Sequence, residues 1–179
     1  MKIIDDFLTE SEFAFFRTIF EDDRLKWEYS PTKSQGDKSK EEAIKELHNQ
    51  QYVHTLYSMY NGIPLVISDK IEALNPILDK IQPQVILRIK LNSTYPTPEI
   101  YEYNFHKDQH IDVPFSTAVY YLNTNNGYTV FEDGTKVESV ANRLVVFNGN
   151  TLHAGSSCTD IRRRLVLNLN YIGGVINGI

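Results

Sequence analysis

The spacing of apolar residues changes from a helical period to a strand period at Gln84, and this switch limits the chain's fold more than any other feature. From there Val85, Leu87, Ile89 and Leu91 alternate with Ile86, Arg88, Lys90 and Asn92. Further short runs follow at 100–106, 116–122, 128–131, 135–138, 143–147 and 165–171, which predicts about seven strands. The separators are turn chemistry: Asn126-Gly127 and Asp133-Gly134 are hairpin signals, and Asn148-Gly149-Asn150 is another break. Hairpins imply antiparallel pairing. Short, evenly spaced strands with no helical pattern between them argue against a βαβ fold and predict a mainly β (α+β) chain built as a closed or two-sheet β structure.

The first 82 residues read mostly as helical. Thr9 and Glu12 stand at capping-box spacing, and Phe13, Phe16, Ile19 and Phe20 form one apolar stripe behind them. Trp27 and Tyr29 suggest a short strand. A second helix is predicted from Ser68 as cap, with Ile71, Leu74, Ile77, Leu78 and Ile81 on one face and Pro76 either delaying its start or kinking it. Residues 31–42 hold no large apolar side chain, so they are expected to be a mobile surface segment, placed to act as a lid. At 179 residues the expectation is one domain over 1–179, with a helical support region at 1–82 and a β core at 83–172.

Eighteen Lys and Arg against 23 Asp and Glu give a net charge of -5, which disfavours binding to a phosphate backbone. The single cysteine, Cys158, cannot form an internal disulfide, and the opening MKIIDDFLTE carries no export pattern. The expectation is a cytoplasmic chain with no membrane span, since no apolar run approaches the ~20 residues that crossing a bilayer requires.

Chemistry concentrates in the histidines. Of five, His48, His54, His106, His110 and His153, three fall in the β region, and two of these open an H-x-D triplet: His106 with Asp108 and His110 with Asp112. On extended backbone, residues two apart point to the same side, so both members of either triplet can reach one metal ion. His153 can complete the set. Two imidazoles and one carboxylate on one face of an octahedron are the ligand set of non-haem Fe(II) oxygenases.

Four blocks in order, His106-x-Asp108, TAVYYLNTNNGYTVFEDG at 117–134, NRLVVFNGNTLHAG at 142–155 and RRRLVLNLNY at 162–171, resemble the catalytic core of the 2-oxoglutarate/Fe(II)-dependent dioxygenases. Within these the chain is most similar to the small prolyl-4-hydroxylase-like proteins of bacteria and phages. The resemblance covers 88–171 and implies a double-stranded β-helix (jelly roll, cupin-like) with N-terminal helices packed on one sheet. It implies His106, Asp108 and His153 as ligands to Fe(II), with 2-oxoglutarate and O2 as co-substrates, and release of succinate and CO2. The family's loop after the triplet favours His106 and Asp108 over His110 and Asp112, which then become rim or substrate contacts.

The family also places a basic residue on the last strand against the distal carboxylate of 2-oxoglutarate. Strand parity selects among Arg162, Arg163 and Arg164. Leu165, Leu167, Leu169 and Tyr171 form one apolar face, so Arg164 shares the other with Val166, Asn168 and Asn170 and looks into the cavity of a two-sheet fold. Arg164, Tyr121 and Asn168 are the expected co-substrate contacts. The implied reaction is hydroxylation of a prolyl or other aminoacyl side chain in a peptide, protein or small molecule. The alternatives are a nucleic-acid demethylase-type dioxygenase, against which Asn168 and Asn170 stand where a second arginine belongs, and a non-catalytic cupin-like metal-binding module.

Overall fold

The computed structural model describes residues 1–30 and 51–178. The expected lid at 31–42, and His48, lie outside them. Among the described residues eleven strands and two α-helices follow in the order β1 (Lys2–Ile4), α1 (Glu10–Phe20), β2 (Glu28–Ser30), β3 (Gln51–Tyr60), β4 (Ile63–Val66), a 3-10 turn (Asp69–Leu74), α2 (Asn75–Ile81), β5 (Val85–Thr94), β6 (Ser116–Tyr121), β7 (Tyr128–Phe131), β8 (Lys136–Glu138), β9 (Arg143–Asn148), β10 (His153–Gly155) and β11 (Arg164–Ile172). A large antiparallel sheet runs β1-β9-β6-β11-β5-β3-β2, with β4 also on β3, and a small sheet runs β10-β7-β8. This is the expected jelly roll. Among the described residues no helix is long and apolar enough to cross a membrane.

Side-chain parity divides the large sheet into two working faces. Leu165, Leu167, Leu169 and Tyr171 of β11, with Ile89 and Leu91 of β5, turn outward onto Phe16 and Phe20 of α1 and Leu74, Ile77 and Ile81 of the second helical segment. Helix α1 begins at the expected capping box: Thr9 Oγ1 accepts from the Glu12 amide at 3.3 Å, and Glu12 Oε2 accepts from the Thr9 amide at 2.8 Å. Ser68 caps as expected, but Pro76 falls at the start of α2, so the turn before it stays 3-10 and only seven residues are α-helical. On the other face Val119, Tyr121, Val145, Phe147 and Val166 pack against Phe131 and Val137 of the small sheet. The space between the sheets lies on this second face.

Three expectations are corrected. The N-terminal region is not mainly helical: β3 and β4 extend the large sheet beyond β5, closed by Asn61-Gly62, both at positive φ. Asn126-Gly127 is no hairpin, since β6 pairs with β9 and β11 while β7 pairs with β8 and β10. It carries the chain between sheets, and a Cβ on Gly127 would stand 2.7 Å from the Ser157 carbonyl oxygen. Residues 100–106 form no continuous strand; bridges from Glu102 to Ser156 and His106 to His153 set them beside β10. Asp133-Gly134 does close the β7–β8 hairpin, with Gly134 at φ +83.

Asn142 joins the N-terminus to the barrel. At φ 65 its side chain accepts from the Leu8 amide (2.9 Å) and from Tyr120 Oη (2.7 Å) while donating to the Leu8 carbonyl (2.8 Å). All three groups lose their partner in Asn142→Ala, which also disfavours the left-handed backbone. Denaturant unfolding of Asn142→Ala should show a loss of about 2–4 kcal/mol with an unchanged m-value, and Tyr120→Phe should lose about 1 kcal/mol.

Candidate functional site

Backbone pairing places the two histidines. The His106 amide donates to the His153 carbonyl at 2.9 Å and the His153 amide returns to the His106 carbonyl at 3.2 Å, so the two side chains leave adjacent backbones on the same side. Their rings stand 4.9 Å apart. Each Nδ1 meets a backbone carbonyl, that of Asn104 for His106 and of Thr151 for His153, both at 3.1 Å. A carbonyl only accepts, so Nδ1 carries the proton in both rings and Nε2 keeps its lone pair.

Both lone pairs face Asp108. His106 Nε2 lies 3.9 Å from Oδ1 and His153 Nε2 3.7 Å from Oδ2, and the ligand atoms of the three residues all fall within 4.8 Å of one another. These gaps exceed hydrogen-bond length and leave room for an ion touching all three. His110 and Asp112 are exposed and outside this cluster. Phe147 packs its ring 4.8 Å from that of buried His153, while the His106 side chain is half exposed and opens the cluster to one side. Burial, with the His153 imidazole beside it, holds the His106 imidazole below its ordinary pKa, which favours its neutral form.

The carboxylate is held from several directions. Arg88 Nη2 donates to Oδ1 and to the backbone oxygen of Asp108, both at 3.1 Å. Asn170 Nδ2 donates to Oδ2 at 3.1 Å and to Thr117 Oγ1 at 3.0 Å, and Asn168 Nδ2 reaches Oδ2 at 3.5 Å. Burial pushes the Asp108 carboxyl up, but His153, Arg88, Lys90 and the Asn170 amide outweigh it, and the group lies below the usual carboxylate range. Sequence reasoning missed Arg88, Asn170 and Thr117. The signal was the polar parity of β5, since register sets Arg88 opposite Asn170 and Lys90 opposite Asn168.

At the other end of the same face sits Arg164, 6 % exposed. Its Nε donates to Ser139 Oγ at 2.9 Å and its guanidinium lies 5.6 Å from the centre of the Tyr121 ring, yet Nη2 is buried with no hydrogen-bond partner and no carboxylate among the described residues pairs with it. Burial lowers the Arg164 pKa from its ordinary value. Thr94, directly opposite Arg164 in the β5–β11 register, has a buried hydroxyl that is also unpaired, as does Tyr103, whose pKa burial pushes up to about 12. Such a set of buried donors without an acceptor fits a carboxylate ligand. Arg163 turns the opposite way, donating to the Glu21 carbonyl at 2.9 Å, and Arg162 is exposed.

The structure brings Tyr121 to Arg164 through its ring, while its hydroxyl donates to Thr129 Oγ1 at 2.8 Å. It brings Asn168 to the Asp108 end, where Asn168 Oδ1 accepts from Asn92 at 3.2 Å. His54 lies apart, its Nδ1 meeting the Lys26 carbonyl and its Nε2 the Ser68 hydroxyl.

No family model matches the chain, and no curated protein matches it in sequence. Solved structures do match. An oxidoreductase of the 2OG-Fe(II) oxygenase family from Burkholderia pseudomallei superposes with TM-score 0.64 over 98% of this chain and 86% of its own, at 14% identity. A prolyl hydroxylase from Trichoplax adhaerens, in complex with a hypoxia inducible factor peptide fragment, gives 0.59 over 96% and 82%, also at 14% identity. A prolyl-4-hydroxylase from Pseudomonas putida gives 0.53 over 96% and 91%, at 18% identity. The chain therefore has the double-stranded β-helix fold of the 2OG-Fe(II) oxygenases and prolyl hydroxylases.

Proposed function

We propose that this chain is an Fe(II)- and 2-oxoglutarate-dependent oxygenase, with His106, Asp108 and His153 as metal ligands and Arg164 as the co-substrate clamp. The observation that carries this reading is the unpaired Nη2 of buried Arg164, on the inner face that also holds the His-Asp-His cluster. A buried charge without a counter-ion is costly, and a metal-storage module or a structural jelly roll gives it nothing to bind. A dicarboxylate satisfies it.

When bound, Fe(II) and 2-oxoglutarate supply O2 reduction and substrate oxidation, with succinate and CO2 released. The chain's own residues bind and orient. Two neutral imidazoles and one carboxylate offer three donors on one side of the ion. Ser139 fixes Arg164 Nε, which leaves the buried Nη2 to meet a carboxylate, and Thr94 and Tyr103 offer further hydroxyls beside it. Phe131 and Phe147, packed on each other and around His153, keep water from that side of the cluster. The first substrate class to test is a prolyl or other aminoacyl side chain, supported by the prolyl hydroxylases among the structures sharing this fold, one of them peptide-bound. Succinate release across peptide, amino-acid and oligonucleotide pools tests it: turnover with peptides is expected, and turnover confined to oligonucleotides would replace it with the demethylase reading.

A three-donor site has no spare ligand. His106→Ala, Asp108→Ala and His153→Ala should each weaken anaerobic Fe(II) binding by at least about 100-fold, and His110→Ala should leave it within threefold. Loss of iron in His110→Ala with retention in His106→Ala would move the site to the second triplet.

Removing one partner of a desolvated, charge-assisted pair costs about 3–5 kcal/mol. Arg164→Ala should raise the KM for 2-oxoglutarate by about two decades or more, with Fe(II) affinity nearly unchanged, while Arg162→Ala and Arg163→Ala should cost about tenfold or less. A large effect at Arg162 with none at Arg164 would show that another arginine holds the co-substrate.

A further inference from the structure

Most of the donors holding Asp108 are neutral, and one is not. Asn170 and Asn168 reach Oδ2 as amides, and Gln109 Nε2 in turn meets Asn170 Oδ1 at 3.4 Å. Arg88 brings a full positive charge to within 3.1 Å of Oδ1, with its side chain 17% exposed and that of Asp108 only 2%. Lys90 adds a second positive charge to the same surroundings, and the imidazoles of His106 and His153 complete the groups that face the carboxylate. Orientation of Asp108 is thus supplied more than once by neutral groups, whereas the closest charge on it comes from Arg88.

We propose that Arg88 is the counter-ion of Asp108 in the metal-free protein and weakens the site's hold on a divalent cation. The proposal rests on the metal reading given above. A carboxylate this buried cannot stand alone, so the cavity needs a cation before the metal arrives. Carboxylate oxygens each have two lone pairs, so Arg88 keeps its hydrogen bond when a metal binds Asp108. It then sets a unit charge close to a dication in a partly desolvated cavity, where repulsion is far stronger than in water. A dianionic ligand beside the metal relieves that repulsion. Arg88 therefore makes metal and dianion bind as a pair rather than metal alone, acting as a positioning residue through Asp108.

Charge and orientation predict opposite signs, and Mn(II) affinity measured by calorimetry on the purified chain without co-substrate separates them. Arg88→Gln keeps a donor and loses the charge, so it should bind Mn(II) about tenfold tighter than wild type. Arg88→Lys keeps the charge and should return to within about threefold of wild type, which a purely structural role would not produce. Asn170→Ala loses orientation alone and should bind Mn(II) about tenfold more weakly. The metal-free Arg88→Gln protein should melt below wild type and recover more than wild type does on saturation with Mn(II).

Unchanged or weaker Mn(II) binding in Arg88→Gln, with wild type binding normally, overturns this proposal and leaves the metal reading standing. Failure of wild type to bind Mn(II) overturns both. Should Arg88→Gln not fold without metal, the double variant with Asp108→Asn, which removes both charges, must fold; if it does not, Arg88 is not the counter-ion.

Discussion

A guanidinium buried with no anion beside it among the described residues is the feature around which this molecule is arranged. Arg164 lies inside the barrel with one donor tied to Ser139 and another unpaired, and the described residues around it add tyrosine rings and hydroxyls rather than a carboxylate. Stability alone gives no reason for this, because an apolar residue in the same space is more favourable than an unmatched charge. The arrangement makes sense when the missing partner is a ligand. The His106, Asp108 and His153 cluster on the same face supports the proposed class, since a dicarboxylate can span a cation at one end and a guanidinium at the other.

One strand supplies both the arginine and two amides that hold Asp108. In β11 the outward residues Leu165, Leu167, Leu169 and Tyr171 fix the sheet to the helices, and their alternates, Arg164, Asn168 and Asn170, are carried inward without choice. Moving the register by one residue would bury the helix face in the cavity and put the arginine on the helices. The histidines obey the same logic across a different joint: the His106–His153 bridge sets the two rings side by side, and the carbonyls of Asn104 and Thr151 fix the tautomer of each. Core packing and site chemistry are two readings of the same alternation.

That alternation is why much was legible from the sequence. Period-2 patterning gave β5, β6, β7, β8, β9 and β11, and the polar parity of β11 singled out Arg164 among three consecutive arginines. What stayed hidden lacked a contrast between faces. In β3 all residues but buried Leu56 and exposed Tyr60 are half-buried, so no alternation marks it, although the Asn61-Gly62 turn behind it was a usable signal. The same dipeptide at Asn126-Gly127 misled, because a turn signal does not say whether the strands on either side share a sheet; here the glycine allows close approach to Ser157 and Arg164 instead. Arg88 was visible as a polar alternate in β5 but carries no motif, and only the pairing of β5 with β11 brings it to Asp108.

The proposed function requires one cavity to bind a divalent metal and 2-oxoglutarate at a single centre. Anaerobic titration of Fe(II) into the protein with saturating 2-oxoglutarate, followed by visible absorption, reads this directly. A weak charge-transfer band that saturates at one iron per chain, and is absent when either component is left out, is the expected result. Iron binding with no such band, under conditions where 2-oxoglutarate is also bound, would show that the two do not meet, and the account of Arg164 as a clamp for a metal-chelating co-substrate would be wrong.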